Sequence, residues 1–379
     1  MTKAEEYDER EHTQVKHTVL RRYLSAAIPI VGDWAADIAY TDCLAGPWKS
    51  AAADLHDTSF DTAVQVLRST RTVLDQRGKS PHLRCLFIEI DREAFSRLEK
   101  YTDGIKDIEA VARNWDFTQA VPKVVNFAVK NPNSFSFVFI DPKGWEQIAL
   151  PLIAPILRLS QGEVLITLMT SFIRRFVKVE GKGFDKIFGA TAVAKLENLS
   201  GDELEEGLVR QYTAAAKTTG DFKYACTLPV LKASQDDFQF FMVYLTRHIR
   251  GVEVFKETER AVIPIMHEIR AEAQSRKELD RTGQFSLLPP DEKYKEARFT
   301  HFRRRQLERV RGALLKVVEA KKSLTYGEAW ELTMQNAAVL DADLREWIFE
   351  WRVKGLIDIL GWAPRQKVPH KENVIQWRG

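Results

Sequence analysis

Cysteine is scarce in this sequence, with three residues, Cys43, Cys85 and Cys226, among 379. They lie too far apart for a metal-ligand spacing, and two of them fall in apolar runs where cysteine behaves as a small buried hydrophobe. We therefore expect no metal site and no disulfides. A reduced, cytoplasmic protein is the class that fits this cysteine usage.

Long apolar runs are also missing. No stretch reaches the roughly 18 apolar residues that a transmembrane helix needs. The opening residues MTKAEEYDEREH are polar and lack the apolar centre of a signal peptide. The sequence therefore predicts no membrane partner.

Three familiar catalytic signatures are absent from the sequence. It contains no G-x-S-x-G turn, no H-E-x-x-H pair and no complete phosphate loop. GKGF at 181–184 lacks the first glycine and the Ser/Thr of a phosphate loop, so we interpret it as a plain loop. Serine hydrolases, zinc proteases and nucleotide triphosphatases are therefore weak alternatives.

Charge of one sign is not in large excess, since the formal net charge is +3. The distribution is uneven, because residues 300–379 hold 15 Lys and Arg against 10 Asp and Glu. A basic excess confined to the C-terminal fifth indicates a separate module there, with nucleic acid as a candidate partner.

Short apolar runs alternate with helical patterns over residues 15–250. Strands are predicted at residues 37–42, 83–90, 108–112, 135–140 and 163–168, and helices at 15–28, 59–76, 92–101, 117–130 and 145–156. This alternation predicts an α/β fold with a Rossmann-like, mostly parallel sheet and flanking helices. Two further runs, 222–230 and 238–246, predict a hairpin that closes the sheet.

The chain is predicted to divide into three parts. Residues 1–255 form the Rossmann-like domain, residues 256–299 a helical linker that includes FSLLPPDEK, and residues 300–379 a small basic module. Three helical patterns and two short strands in this module predict a winged-helix-like domain, with Asp341 as an N-cap. A simple helical cap on the main domain is the alternative.

Acidic residues end three of the predicted strands. Asp42, Glu89 and Asp141 each follow an apolar run, and ligands of open parallel sheets bind beyond the carboxyl ends of the strands. Ala45 and Gly46 follow Asp42 and permit a close backbone approach to a ligand. A carboxylate at Glu89 is placed to accept ribose hydroxyls. The alternative for each acid is capping of the next helix.

DCLAGPW at 42–48 resembles the D-x-F-A-G-P-G turn of the three-Cys-motif partner protein (TcmP) family. This family is similar to class I S-adenosylmethionine-dependent methyltransferases. Further matches follow in the same order over about the first 250 residues, namely KHTVLRRYL, TSFDTA, FIEID, FIDPKGW and SFIRRF. The resemblance implies a methyltransferase-type Rossmann-like fold with S-adenosylmethionine as cofactor.

The resemblance also implies roles for individual residues. The methionine end of the cofactor would be flanked by Asp42, Ala45 and Gly46. Glu89 would bind the ribose, Asp116 the adenine region, and Asp141 would lie beside the transferring methyl group. Lys16 and His17, which open KHTVLRRYL, become candidates for the rim of the pocket.

Asp141-Pro142 suggests a reaction class. A carboxylate and a proline carbonyl can hold the hydrogens of an exocyclic amine while an aromatic ring stacks on the base. Amino-methyltransferases use Asp-Pro-Pro-aromatic, whereas here Lys143 occupies the third position and Trp145 comes one place late. Asp141, Pro142 and Trp145 are the predicted catalytic residues. The alternative is a helix cap at Asp141 and a core position for Trp145.

Basic residues supply the candidate substrate contacts. Lys143 is a candidate for binding a phosphate or for pairing with a nearby acid, and Arg174 and Arg175, close to a predicted strand end, are candidates for lining a substrate cleft. Arg303, Arg304 and Arg305 precede or open a helix, where arginine contacts phosphates without selecting a sequence. The alternative for the arginines is an ordinary solvated surface.

Three functions are compatible with these features. The first is an S-adenosylmethionine-dependent methyltransferase acting on a nucleic-acid base amino group. The second is a non-catalytic partner or scaffold protein that retains the fold and binds another protein. Trp48, in place of the family's glycine, and Lys143 favour this second function. The third is a metal-dependent nuclease that uses the acid cluster.

Overall fold

The structure is a computed structural model that describes residue 7 and residues 10–46, 50, 52, 54–170, 196, 199–284, 297–363 and 365–379. The chain forms two compact units. One comprises Met1–Ala225 and Pro229–Tyr294, and the other Cys226–Leu228 and Lys295–Gly379. Trp48, Arg174, Arg175, GKGF and FSLLPPDEK lie outside the described residues.

The larger unit alternates strands and helices. Its elements are α1 (Glu11–Gly32), β1 (Asp37–Asp42), α2 (Ser59–Gln76), β2 (His82–Ile88), α3 (Arg92–Asp103), β3 (Glu109–Arg113), α4 (Phe117–Ala128), β4 (Ser134–Ile140), α5 (Leu150–Leu157), β5 (Gly162–Leu168), α6 (Gly201–Thr219), β6 (Tyr224–Leu231), β7 (Phe238–Thr246) and α7 (Ile249–Thr282).

One sheet of seven strands organises this unit, in the order β3-β2-β1-β4-β5-β7-β6. Strands β1 to β5 are mutually parallel, and β7 runs antiparallel to β5. The predicted α/β fold with a mostly parallel Rossmann-like sheet is confirmed. From β1 the chain adds β2 and β3 toward one edge of the sheet, and then β4 and β5 toward the other. The switch point therefore lies between β1 and β4, and open parallel sheets bind ligands at such a point.

The central strands are buried on both faces. All seven residues of β4 and all six of β1 are buried. The continuous apolar run FSFVFI in β4 is typical of a strand covered on both faces. Helices cover the sheet in two layers, with α1 packed against α2 and α7, and α5 packed against α4 and α6.

Two predicted helices differ from the observed ones, both at prolines. The first helix is predicted to end at residue 28, just before Pro29, but α1 continues through Pro29 to Gly32. Packing against α2 and α7 outweighs the loss of one backbone hydrogen bond there. The helix predicted over 145–156 is a 3₁₀ turn, Trp145–Ile148, followed by α5. Pro151 lies in the first turn of α5, where a missing N–H costs nothing.

A buried polar cluster anchors α1 to the sheet. The Tyr23 hydroxyl donates to Glu163 Oε2 on β5 at 2.5 Å and also contacts the hydroxyl of Tyr244 on β7. Thr246 donates to the other carboxylate oxygen of Glu163 at 2.8 Å. Because buried polar groups are costly without partners, these bonds fix α1 in one position on the sheet.

The smaller unit contains α8 (Ala297–Lys321), β8 (Ser323–Thr325), α9 (Tyr326–Thr333), α10 (Asp341–Val353), β9 (Ile357–Leu360) and β10 (Val374–Trp377). Its three strands form an antiparallel sheet in the order β8-β10-β9. The winged-helix assignment stays a prediction. The predicted cap is wrong, since Leu340 is the N-cap of α10 and the side chain of Asp343 accepts from its N–H.

The predicted division at residues 255 and 299 also stays a prediction, although helix α7 runs across residue 255. Within the described residues, every helix is too short or too polar to cross a membrane. Cys43, Cys85 and Cys226 are all buried free thiols.

A buried ion pair joins the starts of β1 and β2, and it yields a stability prediction. Arg84 Nε and Nη2 donate to the Asp37 carboxylate at 2.6 and 2.5 Å, and both residues are almost fully buried. Replacing Arg84 with Met leaves Asp37 charged and buried, so we expect a loss of about 3–5 kcal/mol in the free energy of unfolding. Urea denaturation measures it.

Arg92→Met is the matched control, because Arg92 lies exposed at the start of α3. It should change the unfolding free energy by less than about 0.5 kcal/mol. Equal effects of the two substitutions would contradict a structural role for the Arg84–Asp37 pair.

Candidate functional site

A cavity of about 540 Å³ opens at the carboxyl edge of the sheet in the larger unit. Its wall includes residues that follow β1, β2 and β4, residues from the end of β5 and the start of β7, and the first turns of α1 and α2. The volume lies within the range of about 300–1,000 Å³ that small-molecule sites occupy. The cavity is therefore at the position that the strand order predicts for a ligand.

Strand register brings the three predicted acids to this edge. Asp42 on β1 is aligned with Phe87 on β2 and with Phe139 on β4. Glu89 and Asp141 each lie two residues beyond those partners, and both line the cavity. Asp42 is directly behind the wall, hydrogen-bonded to Ser59, which does line it.

The carboxyl group of Asp42 is fully buried. It accepts from the Ser59 hydroxyl at 2.6 Å and from the Leu44 N–H at 3.2 Å. Burial raises the pKa of Asp42 to about 7, the two hydrogen bonds oppose this rise, and the negative charge of Asp141 adds to it. Asp42 therefore titrates near neutral pH and is sensitive to any charge that enters the cavity.

Glu89 is held rigidly at the end of β2. Its Oε1 accepts from the Asp91 N–H at 2.7 Å, and its side chain is almost fully buried. The amide of Asn114 donates to the carbonyl oxygens of Glu89 and Ile90, at 2.8 and 2.9 Å. Ile90 lines the same cavity and is 58% exposed. A fixed carboxylate thus lies beside an exposed apolar surface.

Lys16 on α1 contacts the acid that follows β4. Its Nζ donates to Asp141 Oδ2, and its side chain is 11% exposed against 25% for Asp141. The ammonium also lies 5.9 Å from the centroid of the Phe240 ring. Both members of the ion pair line the cavity, so a ligand that enters meets a paired rather than an isolated Asp141.

His17, next to Lys16, is also buried at the cavity wall. Its Nδ1 lies 3.0 Å from the Tyr7 hydroxyl. Burial lowers the pKa of His17 well below its ordinary value, and the positive charges of Lys16, Arg10 and Arg21 lower it further. His17 is therefore neutral at physiological pH.

Lys143 lines the cavity on the side of Glu89. Partial burial lowers the pKa of Lys143, while the negative charges of Glu89 and Asp91 oppose this change. Its backbone N–H donates to Gln147 Oε1 at 3.0 Å, which fixes the turn after Asp141. Lys143 therefore places a positive charge at this end of the cavity wall.

The structure brings together only part of the predicted site. Gly46, Glu89, Asp141, Pro142 and Lys143 line the cavity, and Asp42 and Ala45 are buried at the same strand end. Asp116 and Trp145 are not among the described residues that line the cavity. Asp116 instead caps α4, accepting from the Thr118 N–H at 2.9 Å.

The predicted phosphate-binding arginines of α8 belong to the smaller unit, where some have protein partners. Arg303 pairs with Asp343 at 2.7 Å, and Arg304 lies 3.2 Å from His301 Nδ1. Arg305 is half-buried on the same helix. Whether Arg303, Arg304 and Arg305 contact a substrate stays a prediction.

Sequence reasoning missed several residues of the wall. Arg10 donates to Asp57 Oδ2 at 2.9 Å, and both residues line the cavity with Thr58 and Ser59. Thr58 also caps α2. A capping signal is visible in TSFD, but no local pattern shows that this cap faces the same cavity as Arg10. Among the described residues, no group of three or more His, Cys, Asp and Glu is placed to hold a metal ion.

Comparison with known proteins adds no identification. No family model matches the chain, and no curated protein matches it. A solved structure of a Legionella pneumophila protein is similar with a TM-score of 0.34 and 10% identity, over 62% of this chain and 84% of that one.

Two solved enzymes are similar at the same level. A loganic acid methyltransferase with SAH has a TM-score of 0.33 and 13% identity, over 72% of this chain and 89% of that one. A dimethyladenosine transferase from Plasmodium falciparum has a TM-score of 0.28 and 12% identity, over 89% and 96%. Scores this low establish no shared fold, and no property of this chain follows from them.

The buried Asp42 predicts a specific pH dependence of stability. Its folded pKa of about 7 exceeds the ordinary value of 3.8, so the folded chain binds more protons than the unfolded chain between these values. Stability from this group therefore falls as pH rises through that window and is flat above it.

Asp42→Asn removes this titration and serves as the reference. Between about pH 5 and about pH 8 the wild-type chain should lose on the order of 2 kcal/mol relative to Asp42→Asn. Urea unfolding of both chains across this range measures the difference. A pH-independent difference would show that Asp42 does not titrate in this window.

Proposed function

We propose that the larger unit binds S-adenosylmethionine in the cavity and acts as a methyltransferase, as the resemblance to the three-Cys-motif partner family implies. One observation carries the proposal: Glu89 after β2 and Asp141 after β4 line one cavity at the switch point, with Asp42 buried behind it. The mostly parallel seven-stranded sheet supports it, because the resemblance implies a Rossmann-like fold of this kind.

The residues at the end of β2 fit a nucleoside. Glu89 is a fixed carboxylate acceptor for ribose hydroxyls, and the exposed side chain of Ile90 beside it offers an apolar surface for a base. Asn114 holds this turn in place by two hydrogen bonds. Asp116, the predicted adenine contact, caps α4 instead. The turn at Glu89 and Ile90 is therefore the better candidate for contact with the adenine.

The acids at the switch point fit the positive end of such a ligand. When bound, S-adenosylmethionine supplies a methyl group activated by its sulfonium. Asp42 and Asp141 supply negative charge at that end of the cavity, and Asp141 with the Pro142 carbonyl would accept hydrogens from an attacking amine. The protein's contribution is therefore orientation and charge placement.

For the substrate we propose a nucleic acid, methylated on a base amino group. The Asp141-Pro142 pair in the cavity wall supports an amine, and the basic excess of residues 300–379 supports a polyanion. Arg303 and Arg311 are already paired with Asp343 and Glu350 within the smaller unit. Arg304 is exposed on α8, and we propose it as a phosphate contact together with Arg305 beside it.

The proposed cofactor is tested by calorimetry with S-adenosylmethionine and S-adenosylhomocysteine. We expect micromolar binding to the wild-type chain. Glu89→Gln should weaken it by roughly tenfold to a hundredfold, because a charged hydrogen-bond acceptor is lost. Glu99→Gln is the matched control, since Glu99 is exposed on α3 and should not affect binding.

The alternatives predict different results in the same experiment. Absence of binding at millimolar cofactor would refute the methyltransferase and favour a non-catalytic partner protein that retains the fold. Calorimetric heat on titration with Mg²⁺ or Mn²⁺, removed by Asp141→Asn, would favour the metal-dependent nuclease.

The proposed polyanion is tested by salt-dependent binding of a labelled oligonucleotide. If Arg304 and Arg305 each contact a phosphate, changing both to Gln should reduce the slope of log K against log salt by about 0.9 for each lost contact. Fluorescence anisotropy at several salt concentrations measures the slope. An unchanged slope would place the contact elsewhere, and no binding by the wild-type chain would refute a nucleic-acid substrate.

A further inference from the structure

The pair formed by Lys16 and Asp141 has a geometry that matters for ligand selection. The two side chains come from different elements, α1 and the turn after β4, and they meet inside the cavity. Lys16 is nearly buried, so its ammonium has little access to water once Asp141 is taken away. A buried cation without a partner is costly, so Lys16 requires an anionic partner in every state of the site.

The surroundings of Lys16 leave few protein anions to take that place. Asp42 is buried behind the wall and bound by Ser59 and the Leu44 N–H, and Asp57 is bound by Arg10 and Ser50. Glu89, which also lines the cavity, is bound by the Asp91 N–H at the end of β2. Neighbouring His17 is neutral or cationic in any state, and Phe240 offers only its ring. The replacement partner that fits is therefore an anionic group on the ligand.

We propose that Lys16 is the specificity-determining residue for a ligand carboxylate, and that a carboxylate displaces Asp141 from Lys16 when the ligand binds. This inference rests on the proposed function, because the amino-acid end of S-adenosylmethionine is the carboxylate in question. Displacement releases Asp141 into the cavity, where it is available to an amine. The ion pair thus couples ligand entry to the exposure of Asp141.

Two ligands that differ only in the amino-acid portion test this proposal. S-adenosylhomocysteine carries the carboxylate, whereas 5′-methylthioadenosine keeps the nucleoside and lacks it. Lys16→Met should weaken S-adenosylhomocysteine binding by roughly tenfold to a hundredfold and leave methylthioadenosine binding unchanged. Lys16→Arg should restore most of the affinity, and Lys79→Met, at an exposed position, is the charge-matched control.

Asp141→Asn is expected to have the opposite effect on the affinity for S-adenosylhomocysteine. Removing the competing carboxylate should tighten S-adenosylhomocysteine binding by about threefold to tenfold, with no effect on methylthioadenosine. If the pair has only a structural role, Lys16→Met and Asp141→Asn should weaken the binding of both ligands to the same extent. Unchanged methylthioadenosine affinity reports that each variant is folded.

The outcomes separate this inference from the proposed function. If the wild-type chain binds neither ligand, the proposed cofactor is wrong. If it binds both and Lys16→Met affects them equally or not at all, the cofactor proposal stands and the role of Lys16 is overturned. Weaker S-adenosylhomocysteine binding by Asp141→Asn would overturn the displacement.

Discussion

The parallel register of β1, β2 and β4 is the constraint on which the site depends. It fixes Asp42, Phe87 and Phe139 at one level of the sheet, so the acids that follow must emerge at the same edge. Parallel strands need crossover helices, and these bury the strands on both faces. A carboxylate at the carboxyl end of such a strand can reach a cavity without being buried between the helix layers, which is why carboxylates and ligand cavity coincide there.

Burial then divides the three acids by role. Asp42 is buried at the edge of the sheet, where desolvation raises its pKa to about 7, so its charge changes with pH near neutrality. Glu89 is oriented by the Asp91 N–H, and Asp141 by the ammonium of Lys16. Acids at the carboxyl ends of neighbouring strands therefore differ in burial and in hydrogen-bond partner.

The sheet could be predicted from the sequence because its strands are continuous apolar runs, of which FSFVFI is the clearest. Glu89 and Asp141 could be placed for the same reason, since each directly follows such a run. Acids that follow a strand do not all face a ligand, however, since Asp116, which the resemblance assigned to the adenine region, caps a helix. Local sequence cannot separate these cases, because both use a carboxylate after a strand.

Contacts between distant segments could not be predicted. Arg10 and Asp57 are 47 positions apart, and Lys16 and Asp141 are 125 apart. Both pairs depend on where α1 docks, and the alternating pattern of strands and helices does not specify that docking. Only the family resemblance drew attention to Lys16 and His17.

The docking of α1 links the core to the site. Lys16 and Tyr23 are seven residues apart, so they lie on the same face of the helix, about 10 Å from each other along its axis. Tyr23 is hydrogen-bonded to Glu163 and Tyr244 inside the core, whereas Lys16 reaches the cavity. A buried polar cluster specifies one arrangement of packed elements more strictly than apolar contacts do. The same cluster that fixes the helix on β5 and β7 therefore sets the distance from which Lys16 reaches Asp141.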